Sequence, residues 1–147
     1  MRAAVMHGPN LNRLGKRRPE KYGHATLDDI GKDCQATGER LGLTIETIQS
    51  NHEGTLIDWL HERQDSLDLI VLNPAGLTGY AYSLLDTICD TGLPFGIVHI
   101  SQFHAIDGLT RQDIFAPHAT VYITGLGWRG YSTALEALTR KIDEKKS

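Results

Sequence analysis

Apolar positions along the chain fall into two kinds of run. Ala3–Met6 is short, continuous and closed by Gly8-Pro9, the mark of a strand buried on both faces. Similar runs recur at Leu43–Ile48, Asp68–Leu72 (stopped by Asn73-Pro74), Phe95–Ile100 and Thr120–Thr124. Between them the spacing turns helical. Thr26 stands where a cap is wanted for a helix from Leu27 to about Leu41, with Gly42 as its stop. Gly54–Asp65 carries Leu56, Ile57 and Leu60 on one face, Thr78–Thr91 is helical, and Tyr131–Ile142 is a last amphipathic helix. The polar, basic stretch Asn10–Ala25 reads as a loop, and the charged end Glu144–Ser147 lies outside the pattern.

Strands alternating with helices pair in parallel through right-handed crossovers. The expected fold is α/β: a single domain over 1–147, a three-layer sandwich with a five-stranded parallel sheet in flavodoxin-like order. Ligands of such folds bind beyond the carboxyl ends of the strands, where the strand order reverses. The residues there are Asn10 and Asn12, Gln49-Ser50-Asn51, Asn73, His99–Ser101 and Gly125–Gly127.

Composition narrows the class. With 147 residues, 40% hydrophobic, the chain can bury a core without disulfides or a structural metal. Its 2 cysteines, Cys34 and Cys89, form no close pair, as expected in a reducing cytoplasm. The first residues hold too short an apolar run for a signal peptide, and no run approaches a membrane span, so a cytoplasmic location is expected. A formal net charge of −3 gives no basic face for nucleic acid.

Gly125-Leu126-Gly127-Trp128-Arg129-Gly130 matches G-x-G-x-x-G literally. The dinucleotide fingerprint belongs in a first βαβ unit with an acidic residue further on, whereas here one helix ends the chain, so a tight strand-to-helix turn explains these glycines. His52-Glu53 and His61-Glu62 lack the second histidine of a zinc helix, and the other histidines are scattered. The Asn10–Ala25 connection is long against the usual span of about 2–6 residues, and such loops are often lids. It carries Arg13, Lys16, Arg17, Arg18 and Lys21 around Tyr22. By itself this is as readily a solvated basic loop. As a lid it would bring cations to Tyr22, favouring the phenolate, which can act as a general base. A strand-end histidine is by itself more often structural than catalytic, and its place on the ligand rim shifts His99 toward function.

Gly8-Pro9-Asn10-Leu11-Asn12, Arg17, Tyr22-Gly23, Gln49–Gly54, Asn73-Pro74, Val98–Ser101 and Gly125-Leu126-Gly127 with Gly130-Tyr131 together resemble the type II 3-dehydroquinate dehydratases, in order and over essentially the whole chain. The resemblance implies a subunit of a dodecamer built from trimers. It also implies a cofactor-free, metal-free anti elimination of water from 3-dehydroquinate, a small-molecule substrate. On matching positions, Tyr22 would remove the C2 proton with Arg17 holding it as phenolate, Asn10 would stabilise the enolate, and His99 would protonate the departing hydroxyl with Asn73 holding it. Ile100 and Ser101 would bind the substrate carboxylate, Asp86 would reach a neighbouring subunit's site, and Arg111 would stand near the ring hydroxyls.

The chain also departs from that pattern. Ile97 replaces a glutamate two residues before the histidine, Gly79 replaces a histidine, and Leu85 and Ile106 replace arginines. Arg111 matches a further arginine only after an apparent one-residue insertion, and His7 replaces an asparagine. Two of these positions contact ring hydroxyls in the family, so a dehydratase acting on a modified ring, such as an amino analogue, and a catalytically silent scaffold subunit stay open as alternatives.

Overall fold

Five strands pair side by side in the computed structural model, which describes residues 1–147: β1 (Arg2–His7), β2 (Thr44–Gln49), β3 (Leu69–Asn73), β4 (Phe95–His99) and β5 (Val121–Thr124). All pairings are parallel and the order is β2-β1-β3-β4-β5. This is the expected α/β sandwich. Because helices cover both faces, the central strands are apolar on both sides. Ala3 and Val5 face one core with Val71 and Val98, while Ala4 and Met6 face the other with Leu72 and Ile97. The first core is closed by α2 (Leu27–Leu41) and α5 (Gly130–Lys146), through Ile30, Cys34, Ala134 and Leu138. The second is closed by α3 (Glu53–Arg63) and α4 (Tyr82–Asp90), through Leu56, Leu60, Leu84 and Ile88.

Local chemistry explains the boundaries. Thr26 accepts a hydrogen bond from the Asp29 amide while the Asp29 carboxylate accepts one from the Thr26 amide, so a complete capping box starts α2 where expected. The helix expected from Thr78 begins only at Tyr82. The Thr78 hydroxyl donates to the Ala75 carbonyl, and the amides of Tyr80 and Ala81 both turn back to the Leu77 carbonyl, so this stretch closes on itself before a helix can start. The stretch read as a loop contains a one-turn helix, α1 (Pro19–Tyr22), nucleated by proline at its first position. The charged end, left outside the pattern, is helical through Lys146.

The strand order reverses between β1 and β3, whose chains leave the sheet in opposite directions. They part at very close range. The Gly8 amide donates to the Asn73 carbonyl at 2.8 Å, and a Cβ on Gly8 would run into the Pro74 carbonyl. Only glycine permits this approach, and it brings Asn10 and Asn73 to the same rim.

Candidate active site

The rim encloses a cavity of about 160 Å³ at the strand-order reversal. Asn10, Arg17, Tyr22, Asn73, His99, Ile100, Ser101 and Arg111 all line it, so residues spread over the chain from position 10 to 111 converge. Asp86 does not join them. It lies exposed on α4, away from this chain's own cavity. The glycine-rich turn Gly125–Gly130 contributes nothing to the lining and serves as the junction between β5 and α5.

Tyr22 sits at the end of α1 under two cations. The Arg17 guanidinium lies 4.6 Å and the Lys21 ammonium 5.1 Å from its ring centroid. Lys21 is nearly buried, 10% exposed, and pairs with Asp107 at 3.3 Å. That bond ties α1 to the loop after β4, and Arg17, Tyr22 and Asp107 all line the cavity. Asn10 and Ala75, which both line the cavity, hold left-handed backbone, with φ of 69° and 50°. Such conformations persist in non-glycine residues only where the surroundings impose them. The Asn51 carboxamide accepting from the Asn10 amide at 2.9 Å, and the Asn73 carboxamide accepting from the Ala75 amide at 3.1 Å, do so here.

Asn73 was expected to hold His99; its contacts run elsewhere. Its Nδ2 donates to the Tyr131 hydroxyl at 3.0 Å, and that hydroxyl lies 3.1 Å from Nδ1 of His7. The hydroxyl accepts from Asn73, so its own proton goes to His7, which accepts as a neutral ring. Burial lowers the His7 pKa from 6.5 to about 4 and raises that of Tyr131. The chain His7–Tyr131–Asn73 therefore fixes the Asn73 carboxamide and leaves its second amide hydrogen for the cavity.

The group that holds His99 is Asp113. Its Oδ2 accepts from Nε2 of His99 at 2.7 Å and from the Tyr122 hydroxyl at 2.9 Å. Its Oδ1 accepts from the amides of Phe115 and Ala116. Burial opposes its charge, but the hydrogen bond and charge of His99, with the bonds from Tyr122 and Phe115, hold the carboxyl below its usual value. Phe103 stacks on the His99 ring with centroids 4.7 Å apart. Sequence reading missed Asp113, since it lies in an irregular loop 14 residues beyond His99. The available signal was weak: an acidic residue directly before the apolar pair Ile114-Phe115. No group of three or more His, Cys, Asp or Glu side chains converges to hold a metal ion.

Residues 1–139 match the family described as dehydroquinase class II. The chain is 43% identical over 141 residues to a 3-dehydroquinate dehydratase of Halothermothrix orenii, covering 96% of this chain and 95% of that protein. It is 44% identical over 138 residues to one of Roseiflexus castenholzii, covering 94% and 88%. Among solved structures, the type II dehydroquinase of Propionibacterium acnes superposes with a TM-score of 0.88 at 34% identity, covering 95% of this chain and 96% of that one. A 3-dehydroquinate dehydratase-like protein from Bifidobacterium longum gives 0.69 at 32%, covering 97% and 98%. A flavodoxin-like sheet with this cavity at its reversal, in a chain so matched, defines a hydro-lyase. The chain belongs to the class II dehydroquinase family.

The buried His7 predicts a pH dependence of stability. The unfolded ring takes up a proton near pH 6.5, whereas the folded one resists it down to about pH 4. Stability is therefore lost as pH falls through that window, by roughly 3 kcal/mol at its lower end. In urea unfolding, a His7→Asn variant should lose less stability than the parent between these pH values. Parallel losses in the two proteins would contradict this assignment.

Proposed function

We propose that this protein dehydrates 3-dehydroquinate to 3-dehydroshikimate by anti elimination through an enolate. The observation that carries the reading is the placement of Tyr22, beneath the Arg17 and Lys21 cations, and His99, held by a carboxylate, on one small cavity. The 3-dehydroquinate dehydratases to which the chain is 43% identical support the choice of substrate.

The Tyr22 phenolate takes the C2 proton, and the electron pair left behind moves onto the C3 carbonyl oxygen as an enolate. Arg17 and Lys21 stand over the ring that starts this step. Asn10, fixed at the mouth, directs a water or its amide at the enolate oxygen, where charge develops. The enolate pair then returns to form the C1–C2 double bond as the C1–O bond breaks, and His99 gives its proton to the leaving hydroxyl. Water is released, and a proton passed from Tyr22 to His99 through solvent resets the site. Ile100 and Ser101 take the substrate carboxylate. The Thr124 hydroxyl shapes their loop by accepting from the Phe103 amide and donating to the Ser101 carbonyl. Asn73 and Arg111 address the ring substituents. The chemistry needs neither cofactor nor metal.

The reading extends to assembly and location. Asp86, exposed on α4, completes a neighbouring subunit's cavity within trimers that build a dodecamer. The unpaired Cys34 and Cys89 suit a reducing cytoplasm, and no helix is long and apolar enough to cross a membrane. In sedimentation at micromolar concentration the protein should run as a multiple of three chains; a stable monomer would contradict the role of Asp86.

With purified protein and 3-dehydroquinate, the ultraviolet absorption of the conjugated product should rise at a rate indifferent to chelator. Tyr22→Phe should lower kcat by about 10²- to 10⁴-fold, the range of a general base. Turnover unchanged in that variant would overturn the mechanism. No turnover by the folded parent would shift the substrate to a modified ring, because Gly79 stands where the family has a histidine and Arg111 is displaced from the family's arginine.

A further inference from the structure

Asp113 carries two separate tasks on its two oxygens. Oδ1 accepts from the amides of Phe115 and Ala116 and so shapes the turn that leads into the short helix Ala116–His118. Oδ2 accepts from His99 and Tyr122 and serves the cavity. The loop that carries the residue packs against the turn after β3. The Ile114 amide donates to the Thr78 carbonyl at 3.0 Å, and the Gln112 carbonyl stands 3.2 Å from where a Gly79 Cβ would be. A Cβ at position 79 would press on that carbonyl, which would have to give by a few tenths of an ångström. On the strand itself, Ile97 is fully buried in the apolar core beneath α3 and α4, so no carboxylate approaches His99 from there.

We infer that Asp113 is the positioning residue that makes His99 a competent acid, fixing its Nε2–H and leaving Nδ1 as the nitrogen that delivers the proton into the cavity. The inference rests on the assignment of His99 as the acid. An ionised carboxylate only accepts, so the ring must present N–H to it, and the doubly protonated ring keeps that bond while carrying a second proton at Nδ1. Tyr122 tempers the carboxylate by sharing Oδ2. Burial and the charge of Asp113 raise the Tyr122 pKa, so its hydroxyl stays a donor. The remaining charged and titratable groups that line the cavity with His99 are Arg17 and Tyr22 from the Asn10–Ala25 segment and Asp107 and Arg111 from the β4–β5 loop, while His104 lies edge-on to Phe103 behind the ring stack. None of these hydrogen-bonds to His99.

Asp113→Asn separates the two tasks. The carboxamide oxygen still accepts from Phe115 and Ala116, but its NH₂ then faces Nε2. The neutral ring must move its proton to Nδ1, and the charged ring would set N–H against N–H. Tyr122→Phe does the opposite, leaving the carboxylate whole and free of its second donor. Deuterium exchange at the imidazole C2–H of His99, followed residue by residue by mass spectrometry across pH, reads the midpoint at which this ring loses its proton, without substrate and whatever the assembly size. The midpoint should fall by about one unit or more in Asp113→Asn and hold or rise in Tyr122→Phe. With 3-dehydroquinate, the high-pH limb of kcat/KM should move in the same two directions, with kcat down about a hundredfold or more in Asp113→Asn.

A midpoint equal to the parent's in Asp113→Asn, or equal displacement in both variants, would overturn the inference and leave Asp113 a turn residue. Should Asp113→Asn fail to fold, a lowered midpoint in Tyr122→Phe would overturn it alone, and a held or raised one would support it. Exchange midpoints that move as expected in a parent that does not turn over 3-dehydroquinate would keep Asp113 in place and refute the substrate instead.

Discussion

The two chains that leave the sheet at its reversal must separate without lifting β1 from β3, and the site depends on how closely they do it. The bond from the Gly8 amide to the Asn73 carbonyl and the contact of the Gly8 backbone with Pro74 hold the strand ends together past the last ladder pair, His7 with Asn73. From that point the first chain rises through Asn10 into the lid and the second turns back through Ala75. Both chains border the cavity, and each turns through left-handed backbone, at Asn10 and at Ala75.

Polar groups buried at this junction need partners, and each has one that also serves the site. His7 and Tyr131, inside the core, aim Asn73. Asp113 caps a turn and holds His99. Lys21 pairs with Asp107 and keeps the lid cations against Tyr22. In each case a bond that would be needed for folding alone also fixes the direction in which a cavity side chain presents its proton or its charge.

What the sequence made legible was local. The α2 boundaries follow from Thr26, the helical period and Gly42, and the strand runs follow from continuous apolar stretches bounded by turn residues. The cavity residues Asn10, Asn73 and His99 were found because each lies at a strand end. Three features were not legible. The start of α4 depends on Thr78 bonding back to Ala75, a competition that spacing does not reveal. The shape of the lid depends on Lys21 meeting Asp107, 86 positions away. The carboxylate beside His99 arrives on a loop that packs closely on Gly79, a long-range contact that spacing does not reveal. Of the departures from the family pattern, Ile97 is buried in the apolar core and Gly79 lies against the loop that carries Asp113.

The central claim is that a base on the lid and an acid on the sheet rim act on opposite faces of one substrate. It is tested most directly with 3-dehydroquinate carrying deuterium at one of the two C2 positions. The account predicts that the deuterium anti to the departing hydroxyl is lost to water and slows the step that removes it, while the syn deuterium is kept in the product. Loss of the syn deuterium, or equal loss from both positions during turnover, would contradict it.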